Sequence, residues 1–224
     1  MTSENLRNKK TVYLVDDHPL VREWLTNLIH QQPDLAVCGE AESGAQAREA
    51  ILALKPDVAI IDIALKDSSG IELIKDLKSC CPGVLVLVLS MHEEGHYVER
   101  ALRAGARGYI MKRETTRKVV SAIRQVLEGK LAISEEMAAA MASRFVEGKT
   151  LATASPTEQL SDRELEVFEL LGQGRGTRQI AELLKVSVKT VQAYCARIKE
   201  KLNLASASEL VREAVRFYEA AHKI

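Results

Sequence analysis

The sequence predicts an α/β domain with a five-stranded, parallel, doubly wound sheet, followed by a small all-α domain. Short apolar runs alternate five times with segments of helical periodicity across residues 10–130. Beyond residue 158 only helical patterns follow. The chain has 224 residues, which is longer than one typical domain, and we therefore expect two domains.

The five predicted strands are short and rich in β-forming residues. The first, "TVYLVDD", ends in two adjacent carboxylates. The third and fourth carry apolar residues at consecutive positions, which indicates strands buried on both faces. The strands are expected at residues 11–17, 35–41, 57–65, 83–90 and 106–112.

A helix is predicted after each strand. In the first helix, apolar residues recur at helical spacing from Val21 to Ile29. The other four helices are expected at residues 44–54, 70–80, 94–105 and 115–129. Ligands of such sheets bind beyond the carboxyl ends of the strands, so the residues at those ends are the first candidates for a site.

Charged and hydroxyl side chains stand at four of these strand ends. Asp16 and Asp17 end the first strand, Asp62 lies near the end of the third, Ser90 ends the fourth and Lys112 ends the fifth. Three carboxylates at one edge repel each other unless a hard divalent cation lies among them. Carboxylate oxygens, waters and a phosphate oxygen are the ligands that Mg²⁺ prefers, and the cluster therefore predicts a Mg²⁺ site.

Asp62 is the best candidate for a nucleophile, because it lies within the apolar run "IIDIAL". A carboxylate beside Mg²⁺ can attack a phosphoryl donor and become an aspartyl phosphate. Lys112 and the metal would neutralise charge on the transferring group, and the Ser90 hydroxyl could bond the new phosphoryl oxygen.

These features together resemble the receiver domain of two-component response regulators. The resemblance covers residues 10–130 and is carried by "VDDHP", "PDVAIIDI", "VLS" and "GYIMK". It implies a flavodoxin-like sheet and a sensor histidine kinase as the phosphodonor. His18 is expected to be a loop residue typical of the family and not a ligand. The implied roles are direct Mg²⁺ ligation by Asp17, ligation through water by Asp16, phosphoryl acceptance and ligation by Asp62, phosphoryl contact by Ser90 and Lys112, a rotamer change of Tyr109 on activation, and metal ligation by the backbone carbonyl of Ala64.

The second half of the chain is helical. We expect a linker over residues 131–157, which begins with a helix from Ser134 to Val146 and continues as a flexible segment. Four helices follow, at residues 161–174, 177–186, 187–203 and 206–221. Ser161 and Glu164 have the spacing of a capping box, and Ser187 is placed to cap the third of these helices. Short helices with tight connections predict a helix-turn-helix core.

Charge is concentrated in this helical part. The whole chain has a formal net charge of zero, but residues 172–204 contain seven basic side chains and two acidic ones. A locally basic helical unit favours phosphate binding.

Residues 157–220 resemble the DNA-binding domain of NarL/FixJ-type (LuxR-class) regulators. The resemblance is carried by "LSDRELEVFELLGQG", "IAELLKVSVKTV" and "RIKEKL". It implies that the third helix enters the major groove of double-stranded promoter DNA and that the fourth supports a homodimer. The implied contacts are Gln192, Ala193 and Ala196 with base edges, Lys189, Arg178 and Lys201 with phosphates, and Leu210, Val211, Ala214 and Val215 with a second copy.

We therefore expect a receiver over residues 1–130 and a helix-turn-helix domain over residues 158–224, forming a phosphorylation-activated transcription factor. Apart from transferring a phosphoryl group to itself and losing it, the protein is not expected to be an enzyme. No signal peptide, membrane span or C-x-x-C pair occurs, which favours a cytoplasmic protein with reduced cysteines. Three alternatives stay open: a doubly wound phosphohydrolase, a regulator that acts independently of phosphorylation, and a helical half that binds protein and not DNA. Ala64 argues against the first, because such phosphohydrolases usually have a second aspartate two residues after the nucleophile.

Overall fold

The computed structural model describes residues 9–65, 69–91, 95–114, 116–146, 156–184 and 186–221. The chain divides into two compact units, residues 1–142 and 143–224. Among the described residues, no helix has both the length and the hydropathy needed to cross a membrane.

The first unit contains one five-stranded parallel sheet with the order β2-β1-β3-β4-β5. This confirms the predicted doubly wound sheet. The chain winds outward in both directions from β1 and β3, so the topological switch point lies between these two neighbours. The strands are β1 Lys10–Val15, β2 Leu35–Ala41, β3 Val58–Ile61, β4 Leu85–Ser90 and β5 Gly108–Met111.

Five helices alternate with the strands, as the sequence predicts. Alternate residues of β1 face opposite sides of the sheet, and Val12 and Leu14 belong to a buried core. Leu25 and Ile29 of the first helix and Ile123 of the fifth complete this side of the core. The helices are α1 Pro19–His30, α2 Gly44–Leu54, α3 Gly70–Cys80, α4 Gly95–Ala104 and α5 Thr116–Leu127.

Strand β3 is shorter than the predicted run 57–65, because the chain turns away from the sheet after Ile61. The backbone N–H of Asp62 still donates to the Val15 carbonyl at 2.8 Å, and Ala64 forms an isolated bridge with Ser69. Gly70 then begins α3 so close to Asp62 that an added Cβ would lie 2.0 Å from the Asp62 carbonyl oxygen. Only glycine fits this position without displacing the segment that carries Asp62.

Helix α6, Glu135–Val146, follows α5. The hydroxyl of Ser134 accepts a hydrogen bond from the backbone N–H of Met137 at 3.2 Å, so the helix begins where the sequence predicts. The flexible segment predicted after it runs to residue 157; residues 147–155 lie outside the described residues, and its last two residues begin a 3₁₀-helix.

Beyond the end of α6, the described part of the second unit consists of a short 3₁₀-helix and four α-helices. The Ser161–Glu164 capping box is confirmed, since each side chain accepts a hydrogen bond from the other residue's backbone N–H. Ser187 caps its helix as predicted, accepting from Thr190 N–H at 3.0 Å. The elements are Pro156–Gln159 (3₁₀), α7 Asp162–Gly172, α8 Thr177–Leu183, α9 Val188–Lys201 and α10 Ala207–Ala221.

Candidate functional site

An acidic cluster lies at the carboxyl edge of the sheet. Asp16 and Asp17 directly follow β1, and Asp62 directly follows β3. Because β1 and β3 are neighbours, these side chains meet at the switch point. One ligand atom from each of Asp16, Asp17, Asp62 and His18 lies within 4.8 Å of all the others. Asp16 and Asp62 are almost completely buried.

Lys112 joins two of these carboxylates from the end of β5. Its Nζ lies 2.7 Å from Asp16 Oδ2 and 2.6 Å from Asp62 Oδ2. Its backbone N–H donates to the Ser90 carbonyl at 2.7 Å, which ties the end of β5 to the end of β4. The ammonium therefore occupies a fixed position between the two buried charges.

Burial and charge set the protonation of this pair. Burial raises the pKa of Asp62 to about 6; the ammonium of Lys112 opposes this rise, and the charge of Asp16 adds to it. For Lys112, burial by itself lowers the pKa, but the neighbouring carboxylates of Asp62 and Asp16 outweigh burial and raise it. Lys112 thus stays cationic at neutral pH, and Asp62 is mostly ionised.

The remaining receiver positions lie around Asp62. Ser90 is fully buried at the end of β4, and Tyr109 is buried in β5. The backbone N–H of Ala64 donates to Asp62 Oδ1 at 3.3 Å, so Ala64 lies beside the carboxylate as expected. Ala64 thus contacts Asp62, whereas Ser90 and Tyr109 lie in the next two strands, β4 and β5; the roles of all three in phosphotransfer remain predictions.

His18 is a member of the cluster that sequence reasoning set aside as a loop residue. Its Nδ1 lies 2.8 Å from Asp17 Oδ1 and 3.2 Å from Asp16 Oδ1. In the sequence, the one feature that indicates this role is the position of His18 directly after the two aspartates. Only the turn at the start of α1, which directs the ring toward both carboxylates, makes it part of the site.

Arg22 and Gly70 are two further residues that sequence reasoning missed. Arg22 Nη1 donates to the Asp16 backbone carbonyl at 2.6 Å and so holds the loop after β1. Gly70 allows α3 to approach the Asp62 carbonyl, as described above. Both contacts depend on which segments meet in space, and no sequence pattern indicates them.

The exposed face of α9 is the candidate nucleic-acid interface. Lys189, Gln192, Ala193 and Ala196 are exposed, whereas Val191 and Ile198 are fully buried. The helix therefore has one exposed face and one buried face. Tyr194, Cys195 and Leu202 are only partly buried.

Two predicted phosphate contacts differ in their surroundings. Arg178 is exposed on α8, where a phosphate could reach it. Lys201 instead pairs with Glu164 of α7, with Nζ 2.6 Å from Oε2. Glu164 is buried, and although burial raises its pKa, the bonds from Lys201 and from the backbone of Ser161 lower it overall. The ammonium of Lys201 thus already balances the buried charge of Glu164. A DNA phosphate that contacts Lys201 would compete with Glu164 for this ammonium.

The predicted dimer residues also divide into two groups. Leu210 and Ala214 are buried, on a helix that packs against α7. An added Cβ on Gly172 of α7 would lie 2.4 Å from the Ala214 carbonyl oxygen. In this structure, therefore, neither Leu210 nor Ala214 is available to a second copy. Val211 is 42% exposed and Val215 partly so, which leaves these two as the predicted contacts.

Comparison with known proteins identifies the family of each domain. Residues 12–124 match the family model described as response regulator receiver domain. Residues 158–214 match the model described as bacterial regulatory proteins, luxR family. The chain belongs to the LuxR-type (NarL/FixJ) response regulators.

Two relatives of this response regulator match it over nearly their whole length. The oxygen regulatory protein NreC of Staphylococcus carnosus is 34% identical over 209 residues, covering 92% of this chain and 96% of the relative. NreC of Staphylococcus epidermidis is 32% identical over 210 residues, with the same coverage.

Solved structures of similar chains include two of this class. A LuxR-family two-component response regulator from Aurantimonas sp. SI85-9A1 is 32% identical, with a TM-score of 0.58, over 62% of this chain and 99% of that chain. A structure of two RcsB dimers bound to two parallel DNAs is 26% identical, with a TM-score of 0.56, over 96% of this chain and 100% of that one. This response regulator thus has a receiver domain and a LuxR-type DNA-binding domain.

The acidic cluster of the receiver fits a divalent cation. Receiver domains generally bind Mg²⁺ at an acidic pocket. Here three carboxylates supply oxygen atoms that lie within 4.8 Å of one another. Mg²⁺ is bound in proteins by one or two carboxylates together with waters and phosphate oxygens. The residues present therefore match that requirement.

Proposed function

We propose that this response regulator is a transcription factor switched by phosphorylation of Asp62. In this proposal a sensor histidine kinase donates the phosphoryl group, and the modification changes how the helical domain binds promoter DNA. The observation that carries the proposal is the position of Lys112, which bridges Asp16 and Asp62 beside Asp17 at the switch point.

The chemistry follows from the surroundings of Asp62. An oxygen of the ionised carboxylate attacks the phosphorus of a phosphohistidine, the P–N bond breaks, and the imidazole of the kinase leaves. With a pKa of about 6, Asp62 is mostly ionised at neutral pH and so is competent as a nucleophile. The ammonium of Lys112, 2.6 Å from Asp62 Oδ2, is placed to stabilise negative charge on the transferring group.

The proposed Mg²⁺ ligands are Asp17, Asp62 and the backbone carbonyl of Ala64, with Asp16 acting through a water. Bound there, the ion would neutralise the phosphoryl oxygens as the new bond forms. Asp16 is held for this role by Lys112, by the backbone N–H and the ring of His18, and by the guanidinium of Arg22, which donates to its backbone carbonyl.

The switch would begin at Ser90 and Tyr109. Ser90 is buried at the end of β4, and its carbonyl accepts from the Lys112 backbone, so a shift of Ser90 would also disturb the end of β5. Tyr109 lies three residues before Lys112 in β5. Phosphorylation would bias an equilibrium between two arrangements of these residues. DNA binding would use the exposed face of α9 that carries Lys189, Gln192, Ala193 and Ala196, with a homodimer formed through Val211 and Val215.

The test is incubation of the full chain with phosphoramidate, with and without Mg²⁺, followed by intact mass measurement and DNA retention. We expect one added phosphoryl group that requires Mg²⁺ and changes retention on double-stranded DNA. Asp62→Asn should abolish the addition. Asp76→Asn, on the exposed surface of α3, is the matched control and should leave the addition intact.

Three results would contradict the proposal. Addition that persists in Asp62→Asn would remove Asp62 from the acceptor role. Addition that does not require Mg²⁺ would remove the cation from the reaction. Normal phosphorylation without any effect on DNA retention would favour a helical half that responds through protein contacts.

A further inference from the structure

His18 contacts the cation site, although the phosphotransfer proposed above gives its side chain no role. Its Nδ1 lies 2.8 Å from Asp17 Oδ1 and 3.2 Å from Asp16 Oδ1. An ionised carboxylate only accepts hydrogen bonds, so Nδ1 carries the hydrogen in the contact with Asp16. The imidazole is about half exposed, which places it at the mouth of the buried cluster.

The local backbone explains why the ring turns toward the cluster. His18 occupies the N-cap position of α1, where a side chain commonly accepts a hydrogen bond from the helix, but its ring makes no such bond. Its backbone N–H instead donates to Asp16 Oδ1 at 2.9 Å. Pro19 begins the helix immediately afterwards and limits the conformations of the turn.

Lys112 and His18 approach different oxygens of the three carboxylates. Lys112 lies against Oδ2 of Asp16 and Oδ2 of Asp62, whereas His18 lies against Oδ1 of Asp17 and, at the longer distance of 3.2 Å, Oδ1 of Asp16. Asp17 is the proposed direct ligand of the cation. A cation that takes Asp17 Oδ1 therefore meets the imidazole first.

The outcome depends on which ligands the cation prefers. Mg²⁺ takes oxygen ligands and keeps several waters, so it has no use for the imidazole. Imidazole nitrogen is a good ligand for Zn²⁺, Cu²⁺, Fe²⁺ and Ni²⁺. For such a metal the ring takes the other neutral tautomer, in which the hydrogen is on Nε2, and the freed lone pair of Nδ1 binds the ion, so the ring remains in the site.

We propose that His18 is the cation-selectivity residue of this site. Its imidazole lies on Asp17 in the metal-free protein, is displaced by Mg²⁺, and is retained as a nitrogen ligand by a transition metal such as Ni²⁺. This inference rests on the acidic cluster being the cation site of the proposed function.

The test is isothermal titration calorimetry of the full chain with Mg²⁺ and with Ni²⁺, without any phosphodonor. In His18→Ala we expect roughly 10-fold or greater weakening of Ni²⁺ binding, since loss of a group that only supports a metal ligand already costs about that much. Mg²⁺ binding should be unchanged or tighter, since the competing ring is gone. His30→Ala, an exposed histidine of α1, is the control and should change neither affinity.

A second readout reports on the ring itself. In ¹H–¹⁵N spectra of the imidazoles, paramagnetic Ni²⁺ should broaden the His18 signals at lower concentrations than those of His30. Mg²⁺ should shift the His18 signals without broadening them. Addition of Asp17→Asn should remove both effects, because the ring and the carboxylate act on the same ion.

The proposal is overturned if the ratio of the Mg²⁺ and Ni²⁺ affinities is the same in His18→Ala as in the unaltered chain. Equal weakening of both metals would give that result and would make His18 a purely structural residue of the loop. Failure of Asp62 to become phosphorylated while the affinity ratio changes as expected would contradict the proposed function and leave the selectivity intact. If neither metal binds in a manner that depends on Asp17, both proposals fail.

Discussion

Asp62→Asn should stabilise the metal-free receiver at neutral pH. The carboxyl of Asp62 is 3% exposed and lies beside the charge of Asp16, so ionising it in the folded state is costly. Asparagine has nearly the same shape and no charge to bury. It also keeps an oxygen that can accept from Lys112, so the contact at 2.6 Å has a neutral replacement.

The size of the effect follows from the pKa of Asp62. Folding raises this pKa from 3.8 to about 6, and each unit corresponds to about 1.4 kcal/mol. The folded carboxyl holds its proton to a higher pH than the unfolded one, so the stability contributed by this group falls as pH rises from about 4 to about 6. The loss totals about 3 kcal/mol by pH ~7, most of which develops above pH ~4, and it is absent only well below pH ~4, where both states are protonated.

The assay is urea unfolding of the unaltered chain and of Asp62→Asn between pH ~4 and pH ~7, in a buffer containing a chelator. Trp24 is the one tryptophan of the chain and lies in α1, so its fluorescence follows the receiver and not the helical domain. The free-energy difference between the two proteins should grow by about 3 kcal/mol across this range. Saturating Mg²⁺ should reduce the difference, because the ion binds only the folded, ionised site.

A difference that stays constant with pH would refute this reasoning, since it would mean that Asp62 has an ordinary pKa in the folded protein. A difference that shrinks as pH rises would require the pKa to be lowered, with Lys112 dominating over burial.

Three further predictions concern packing and charge. Gly70→Ala should destabilise the receiver by about 1–3 kcal/mol in urea unfolding and slow phosphorylation measured by intact mass, because the new Cβ meets the Asp62 carbonyl. The control Gly83→Ala, whose Cβ would enter open space, should change neither stability nor phosphorylation. Lys201→Ala should lower the free energy of unfolding of the helical domain, measured by thermal unfolding, by about 1–2 kcal/mol, because Glu164 stays buried without its cation. If the variant and the unaltered chain are equally stable, the ion pair contributes nothing. Lys189→Ala should leave stability unchanged but weaken binding to non-specific duplex DNA, measured by fluorescence anisotropy, and reduce the slope of log affinity against log salt by about 1. If the slope does not change, the DNA-contacting face does not include Lys189.

Local pattern was enough to predict the elements and their order. Strand β2 and helices α2 and α3 begin and end at the predicted residues, because hydrophobic period and flanking polar residues are properties of contiguous sequence. The boundaries that differ are those decided by distant partners. Strand β3 ends at Ile61, where the turn toward Ser69 and Gly70 takes the chain out of the sheet.

The candidate cation site was also predictable as a set of residues. Parallel strands bring their carboxyl ends to one edge, so Asp16, Asp17, Asp62 and Lys112 had to lie near one another once the strands were assigned. The resemblance to receivers added the expected roles of Ser90, Tyr109 and Ala64.

What the sequence by itself determined is therefore the alternation of elements, the residues at the strand ends and the polar face of α9, since each depends on periodicity along the chain. Only the tertiary structure decided which groups touch. It placed the ring of His18 on two carboxylates, committed Lys201 to Glu164 and buried Leu210 and Ala214 beside α7. Contacts of this kind depend on side-chain direction and on the approach of segments distant in sequence, and no local pattern encodes either.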